Sequence, residues 1–101
     1  MAAPRHRTLI EQPEYAAQLD FLAGIYSVAA IELTLLGLLW GITTNAEEYN
    51  RVTWNIREAK SRSFGAIPPL VIFFQIKDDN EVLLLWIDEA SRADEISQRL
   101  K

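Results

Sequence analysis

Hydrophobic positions along this chain change their period part-way through. In the first half they recur at helical spacing: Tyr15, Leu19, Leu22 and Tyr26 form one stripe, with Gln18 and Asp20 off it. Pro13 suits the first turn of that helix, where its missing N–H is not needed, and Glu14 favours the positive end of the helix dipole. Residues 28–44 are more apolar. Ile31, Leu35, Leu38 and Ile42 make one face, and Leu36 and Trp40 make another. A helix apolar around most of its girth is expected to be covered on more than one side. Residues 26–30 read as a place where one helix stops and the next begins, and Asn45 is a good stop before Glu47 and Glu48. Ahead of both helices, residues 7–11 read as a short strand ended by Pro13.

From Val52 the period becomes two. Val52, Trp54 and Ile56 alternate with Thr53, Asn55 and Arg57, which predicts a half-buried strand with the first set inward. Residues 61–69, with Gly65 and the pair Pro68 and Pro69, read as a loop. The apolar runs 70–76 and 82–87 predict two strands, joined by turn-tolerant residues into a hairpin. Leu70, Ile72, Phe74 and Ile76 point to one face of that sheet, and Val71 and Phe73 to the other. Two helices can cover only one face, so Val71 and Phe73 are expected to bind a partner protein or a second copy. Residues 1–6 and 93–101 are expected to be mobile or peripheral, the latter a polar tail compatible with a short helix. The expected whole is a single α+β domain over residues 1–101: a short N-terminal strand, two packed helices, then an antiparallel sheet ending in a hairpin.

Residues 21–42 carry a single charge, Glu32, and Gly37 and Gly41 have the spacing that lets membrane helices approach closely. A central acid costs about 3 kcal/mol on insertion, while about ten strongly apolar residues return roughly 3–6 kcal/mol, so a span is energetically allowed. The strands from Leu70 onward nevertheless need helices to cover them, which favours two soluble helices.

Composition narrows the chemistry. Of 101 residues, 50% are hydrophobic and 24% charged, a globular rather than a disordered balance. With no cysteine and only His6, thiolate sites, cysteine nucleophiles and histidine metal clusters are excluded, and neither metal nor cofactor is expected. The start of the chain is basic and broken by Pro4, without an apolar signal core, so the cytoplasm is the default location. No nucleotide loop, zincin helix or nucleophile elbow is present. Asp78 and Asp79 sit in a segment too short for a calcium loop and lacking its glycine. Glu32 reads either as a buried general base or, preferably, as a solvated helix acid.

The net charge of −4 argues against a general nucleic-acid binder, but the charge is unevenly placed. Arg51, Arg57, Lys60 and Arg62 fall in one stretch with a single acid, Glu58, whereas residues 78–95 hold seven acids and one base, Arg92. On a strand and the loop after it, Arg57, Lys60 and Arg62 would suit RNA phosphates and the charge of a cleavage transition state. The alternative is a solvated edge whose cations discourage sheet-to-sheet aggregation. Arg5 and Arg7 offer further cations for a phosphate patch, with His6 as surface decoration.

The order of strand, two helices and a sheet ending in an apolar hairpin resembles the RelE/ParE superfamily of bacterial toxins. The likeness runs over residues 8–89. It is carried by Leu35, Leu36, Gly37, Leu38, Leu39, Trp40, Gly41 and Ile42, then Asn45, Ala46, Glu47, Glu48 and Tyr49, and by the run from Pro68 to Ile87. The resemblance implies a toxin component of a type II toxin-antitoxin module. Such a component would bind an antitoxin, or a second copy, through the open sheet face. Some members of that superfamily cut mRNA on the ribosome, and others poison DNA gyrase. The cutting members use bases on the strand after the helices. By resemblance, Arg57 and Lys60 would bind phosphate and stabilise the transition state of a metal-independent endoribonuclease. Arg62 or Arg92 would support them, Arg51 would add to the RNA-binding set, and the RNA 2′-hydroxyl would be the nucleophile. Where those members carry an arginine at the start of the next strand, this chain has Leu70 and Val71, and Asp88 and Glu89 follow its last strand. These departures imply the alternative, a catalytically inactive interaction module of the same fold. A small single-span membrane protein is the third reading.

Overall fold

The computed structural model describes residues 6–100. Along the chain run strand β1 (Thr8–Glu11), helices α1 (Pro13–Tyr26) and α2 (Val28–Asn45), a 3-10 turn (Ala46–Glu48), strands β2 (Arg57–Lys60), β3 (Leu70–Ile76) and β4 (Glu81–Glu89), a second 3-10 turn (Ala90–Arg92) and helix α3 (Ala93–Leu100). The α+β class is the one expected. The sheet order is β1-β4-β3-β2, so β1 and β2, successive strands in the chain, lie at opposite edges. The α1–α2 hairpin carries the chain from one edge to the other across a sheet face. The sheet is mixed, because β1 runs parallel to β4 while the other pairings are antiparallel.

A single residue separates the two helices. Ser27 has φ 120° and ψ 147°, a backbone region almost confined to glycine. Its N–H donates to the Ala23 carbonyl at 3.0 Å, ending α1, and its carbonyl accepts from Ile31 N at 3.1 Å, starting α2. Its hydroxyl also accepts from Ala30 N at 3.3 Å, which satisfies one of the free donors at the start of α2.

The predicted helix stripes form the main core. Tyr15 and Leu22 of α1 and Ile31, Leu35, Leu38 and Ile42 of α2 are buried against Leu70, Ile72, Phe74, Val82, Leu84 and Ile87 of the sheet. Strict alternation would not put both Leu84 and Ile87 on this face. A bulge resolves the conflict: Phe73 pairs with Trp86 but Phe74 pairs with Leu84, so Leu85 is the extra residue and the register shifts by one.

The second face of the sheet is covered by the chain itself. Val71 and Phe73 are completely buried, in a cluster with Ala93 and Ile96 of α3, flanked by Val52, Ile56, Trp86, Ala90 and Leu100. Two expectations are corrected here. Val71 and Phe73 are not free to bind a partner, and residues 93–100 are a packed helix, not a peripheral tail. A short helix is compatible with the sequence, but its packing is not evident from it, because only three apolar residues at helical spacing, Ala93, Ile96 and Leu100, cover the two side chains. Residues 1–5 and Lys101 lie outside the described residues, and with them the expectation for Arg5.

The strand expected over residues 52–57 starts only at Arg57. Before it the chain closes on itself, with Val52 N donating to the Ile56 carbonyl at 2.8 Å. Thr53 and Asn55 hydrogen-bond each other at 3.2 Å, offering this segment local partners in place of a ladder. Val52 and Ile56 still turn inward, but Trp54, expected inside, is 82% exposed.

Among the described residues two polar ones, Arg7 and Asp88, are buried, and each ties elements together. Asp88 accepts from Arg92 Nη1 at 3.0 Å, Trp86 Nε1 at 3.3 Å and Gln18 Nε2 at 3.4 Å, linking β4, the turn before α3, and α1. Arg7 donates from Nε to the Asp78 carbonyl at 3.1 Å and from Nη2 to the Glu47 carboxylate. This fastens β1 to the hairpin turn and to the end of α2. Arg7 is therefore committed inside the fold and is not available to a phosphate patch.

Candidate functional site

Two surfaces carry the features that sequence reading singled out. The first surrounds β2. Arg57 opens that strand opposite Phe74, on the α2 side of the sheet. Its Nη1 donates to the carbonyls of Glu47 at 2.9 Å and Tyr49 at 2.7 Å. The guanidinium thus satisfies carbonyls left free where the helical segment ends, a place that favours a cation. Lys60 pairs with Val71 and lies on the opposite face of the strand, 3.7 Å from the Glu58 carboxylate. Strand alternation separates the two, since residues an odd number apart point to opposite faces.

The bases accordingly line different grooves. Arg51 and Arg57 share one of about 380 Å³ with Trp54, Asn55 and Ile76. Lys60 lines another of about 290 Å³ with Glu48, Tyr49, Asn50 and Glu58, where acids surround it. Arg62 is exposed in the loop after β2. Arg92 sits before α3, 3.0 Å from Asp88 and 3.5 Å from Glu95. The five cations that the sequence suggested for RNA are therefore not brought to one place. What remains together is Arg51 and Arg57 beside an open indole, an arrangement able to hold a phosphate next to a stacked ring. Among the described residues there is no cluster of three or more His, Cys, Asp or Glu that would hold a metal.

The second surface is the outer face of α2. Leu33 is 59% exposed, Leu36 69% and Trp40 59%. Sequence periodicity picked out Leu36 and Trp40 but expected them to be covered; it did not include Leu33. Ala29 and Gly37 are exposed on the same helix, and Glu32, its only charged residue, is solvated as preferred. The His6 ring meets Trp40 edge-on, with centroids 5.1 Å apart. The two glycines differ in role. Gly37 has open space where a Cβ would stand, whereas a Cβ on Gly41 would overlap the Tyr49 hydroxyl. Gly41 therefore makes room for Tyr49, whose ring packs edge-to-face on Phe74 at 5.7 Å.

Val28–Glu48 is long and apolar enough to cross a membrane by length and composition, with only 22% of its most apolar window buried. The buried share is the stripe of Ile31, Leu35, Leu38 and Ile42 already built into the core. Beside it, Tyr15 lines a groove between α1 and α2, its hydroxyl pKa raised by burial and by the nearby Glu11. No protein-family model matches this chain, and neither curated proteins nor solved structures match it.

Proposed function

We propose that this chain is a cytoplasmic protein-interaction module with a RelE/ParE-like order of elements, working through the outer face of α2 rather than by cutting RNA. The observation that carries this reading is the row of large apolar side chains, Leu33, Leu36 and Trp40, left more than half exposed on a helix whose other face is core. Removing such side chains from water is a driving force for association that the isolated chain leaves unused. The candidate cleavage residues support it from the other side: Arg57 is occupied by two backbone carbonyls, and Lys60 faces away from it beside an acid.

The test is photo-crosslinking in a bacterial host expressing the chain, with a photoreactive phenylalanine placed at Trp40 or, as a control, at Trp54. Adducts of discrete mass from position 40 and none from position 54 are the expected outcome. Adducts from neither position would remove the interaction reading.

A second reading, a toxin that binds RNA and acts on it, is favoured by the groove shared by Arg51, Arg57 and Trp54. It requires retention of single-stranded RNA at low salt, reduced by Arg51→Ala and steeply weakened by added salt. It also requires growth arrest on induction that the same substitution relieves.

A further inference from the structure

Four of the exposed residues of α2 share one face, with Val28, also 59% exposed, lying off it. Ala29, Leu33, Leu36 and Trp40 are separated by four, three and four residues. This is the spacing of a helix seam that packs against another helix, and it is distinct from the stripe that faces the sheet. Read from Trp40 backwards, the spacings are again four, three and four. Two copies of α2 laid antiparallel therefore bring Leu33 opposite the second copy's Leu36, and Ala29 opposite its Trp40.

We infer that α2 pairs with α2 of a second copy, antiparallel about a twofold axis. The inference rests on the interaction reading above and names its partner. Side-chain size supports the antiparallel sense, because the smallest residue of the seam meets the largest, leaving room for the indole. A parallel pair would set Trp40 against Trp40 and leave a hollow between the two Ala29 side chains. The contact is isologous and closes on itself, so it yields a dimer and not a filament.

Size sets the strength. Leu33, Leu36 and Trp40 at 59%, 69% and 59% exposure present roughly 400 Å² per copy, taking whole side chains of about 150–250 Å². With Ala29, Glu32 and Gly37 at the margins, the pair buries about 1,000 Å² in total, close to the lower limit for a specific interface. An interface of this size belongs to the weak, transient class, its strength set by how well Trp40 and the two leucines pack rather than by area. A lipid surface fits this face less well. α2 carries no lysine or arginine to hold anionic headgroups, and its one charge is Glu32.

The absence of native cysteine makes the geometry directly readable. Sedimentation equilibrium of the full chain from 5 to about 500 μM is expected to show a monomer–dimer equilibrium, weakened at least tenfold by Leu36→Glu. Leu36 is 69% exposed, so that variant should keep the parent's circular dichroism and, below the dissociation constant, its melting temperature. Oxidised above the dissociation constant, Ala29→Cys mixed with Trp40→Cys is expected to give the mixed disulfide. Ala29→Cys alone should give none, since its two copies stand about 16 Å apart along the helix axes. Disulfide dimers of Ala29→Cys alone would make the pair parallel and overturn the assignment. A chain monomeric at every concentration would overturn self-pairing; adducts from position 40 at the mass of a different protein would then leave the interaction reading standing, and no adducts would end both. Flotation of the parent, but not of Leu36→Glu, with 3:1 phosphatidylcholine–phosphatidylglycerol vesicles would replace the second copy with a membrane.

Discussion

Ile96→Ala tests whether α3 seals the second face of the sheet. Ile96 is 3% exposed and packs in the cluster that holds Val71 and Phe73, both completely buried. The substitution removes three carbon atoms, and at about 0.8 kcal/mol each the lost transfer energy is about 2.4 kcal/mol. A cavity usually adds to this, but α3 is a short helix of eight residues and can settle inward, so little should be added. The expected cost is about 2.5 kcal/mol, which for a domain of this size lowers the melting temperature by roughly 10–20 °C. Urea denaturation followed by far-ultraviolet circular dichroism provides the second measure, with a midpoint about 1–2 M lower than the parent. Arg99→Ala is the control. It breaks an exposed pair with Glu95 at 2.6 Å on the outer side of the same helix, and its cost should stay below about 0.5 kcal/mol. An Ile96→Ala protein as stable as Arg99→Ala would refute the reasoning. It would mean that α3 does not seat on the sheet and that Val71 and Phe73 are open after all.

Gly41→Ala gains about 1 kcal/mol of helix propensity but displaces the Tyr49 ring from its contact with Phe74, so a net loss of about 1–2 kcal/mol is expected in thermal melts. Adding Tyr49→Phe, which removes the overlapping hydroxyl, should recover part of that loss; a Gly41→Ala protein more stable than the parent would contradict the packing. Ser27→Gly relieves the positive φ at the helix junction at the expense of one hydroxyl cap, and should raise stability by about 1 kcal/mol in chemical denaturation. The Arg7–Glu47 pair makes stability depend on pH: the hydrogen bond from Arg7 holds the Glu47 carboxyl below its ordinary value. A lowered folded-state pKa means that the contribution is present above about pH 4.3 and disappears as pH falls through the lower folded value. The gap in melting temperature between the parent and Glu47→Gln should therefore narrow between neutral pH and about pH 3, and a constant gap would exclude the linkage.

Local pattern was enough to determine much of this molecule, because helices and strands impose their periods on neighbouring residues. The stripes Tyr15–Leu22 and Ile31–Leu35–Leu38–Ile42, the junction at Ser27, the turn through Asp78 and the opposite facing of Phe73 and Phe74 were all legible without coordinates. So was the existence of a second sheet face in need of cover. What covers it was not legible, since the contact between Ile96 and Val71 or Phe73 joins distant parts of the chain and three apolar residues make a faint signal. The alternation of Val52, Trp54 and Ile56 misled for a related reason. A period of two describes side-chain direction, but a strand also needs a neighbour for its backbone, and those N–H groups close a local loop. The cations show the same division. Their nearness in sequence was plain, whereas the start of β2 at Arg57 decided that Arg57 and Lys60 face apart. For α2, sequence alone established an apolar girth. Only the packed structure decided which half of it is core and which half, from Ala29 to Trp40, is left to face outward, because burial depends on what the rest of the chain can reach.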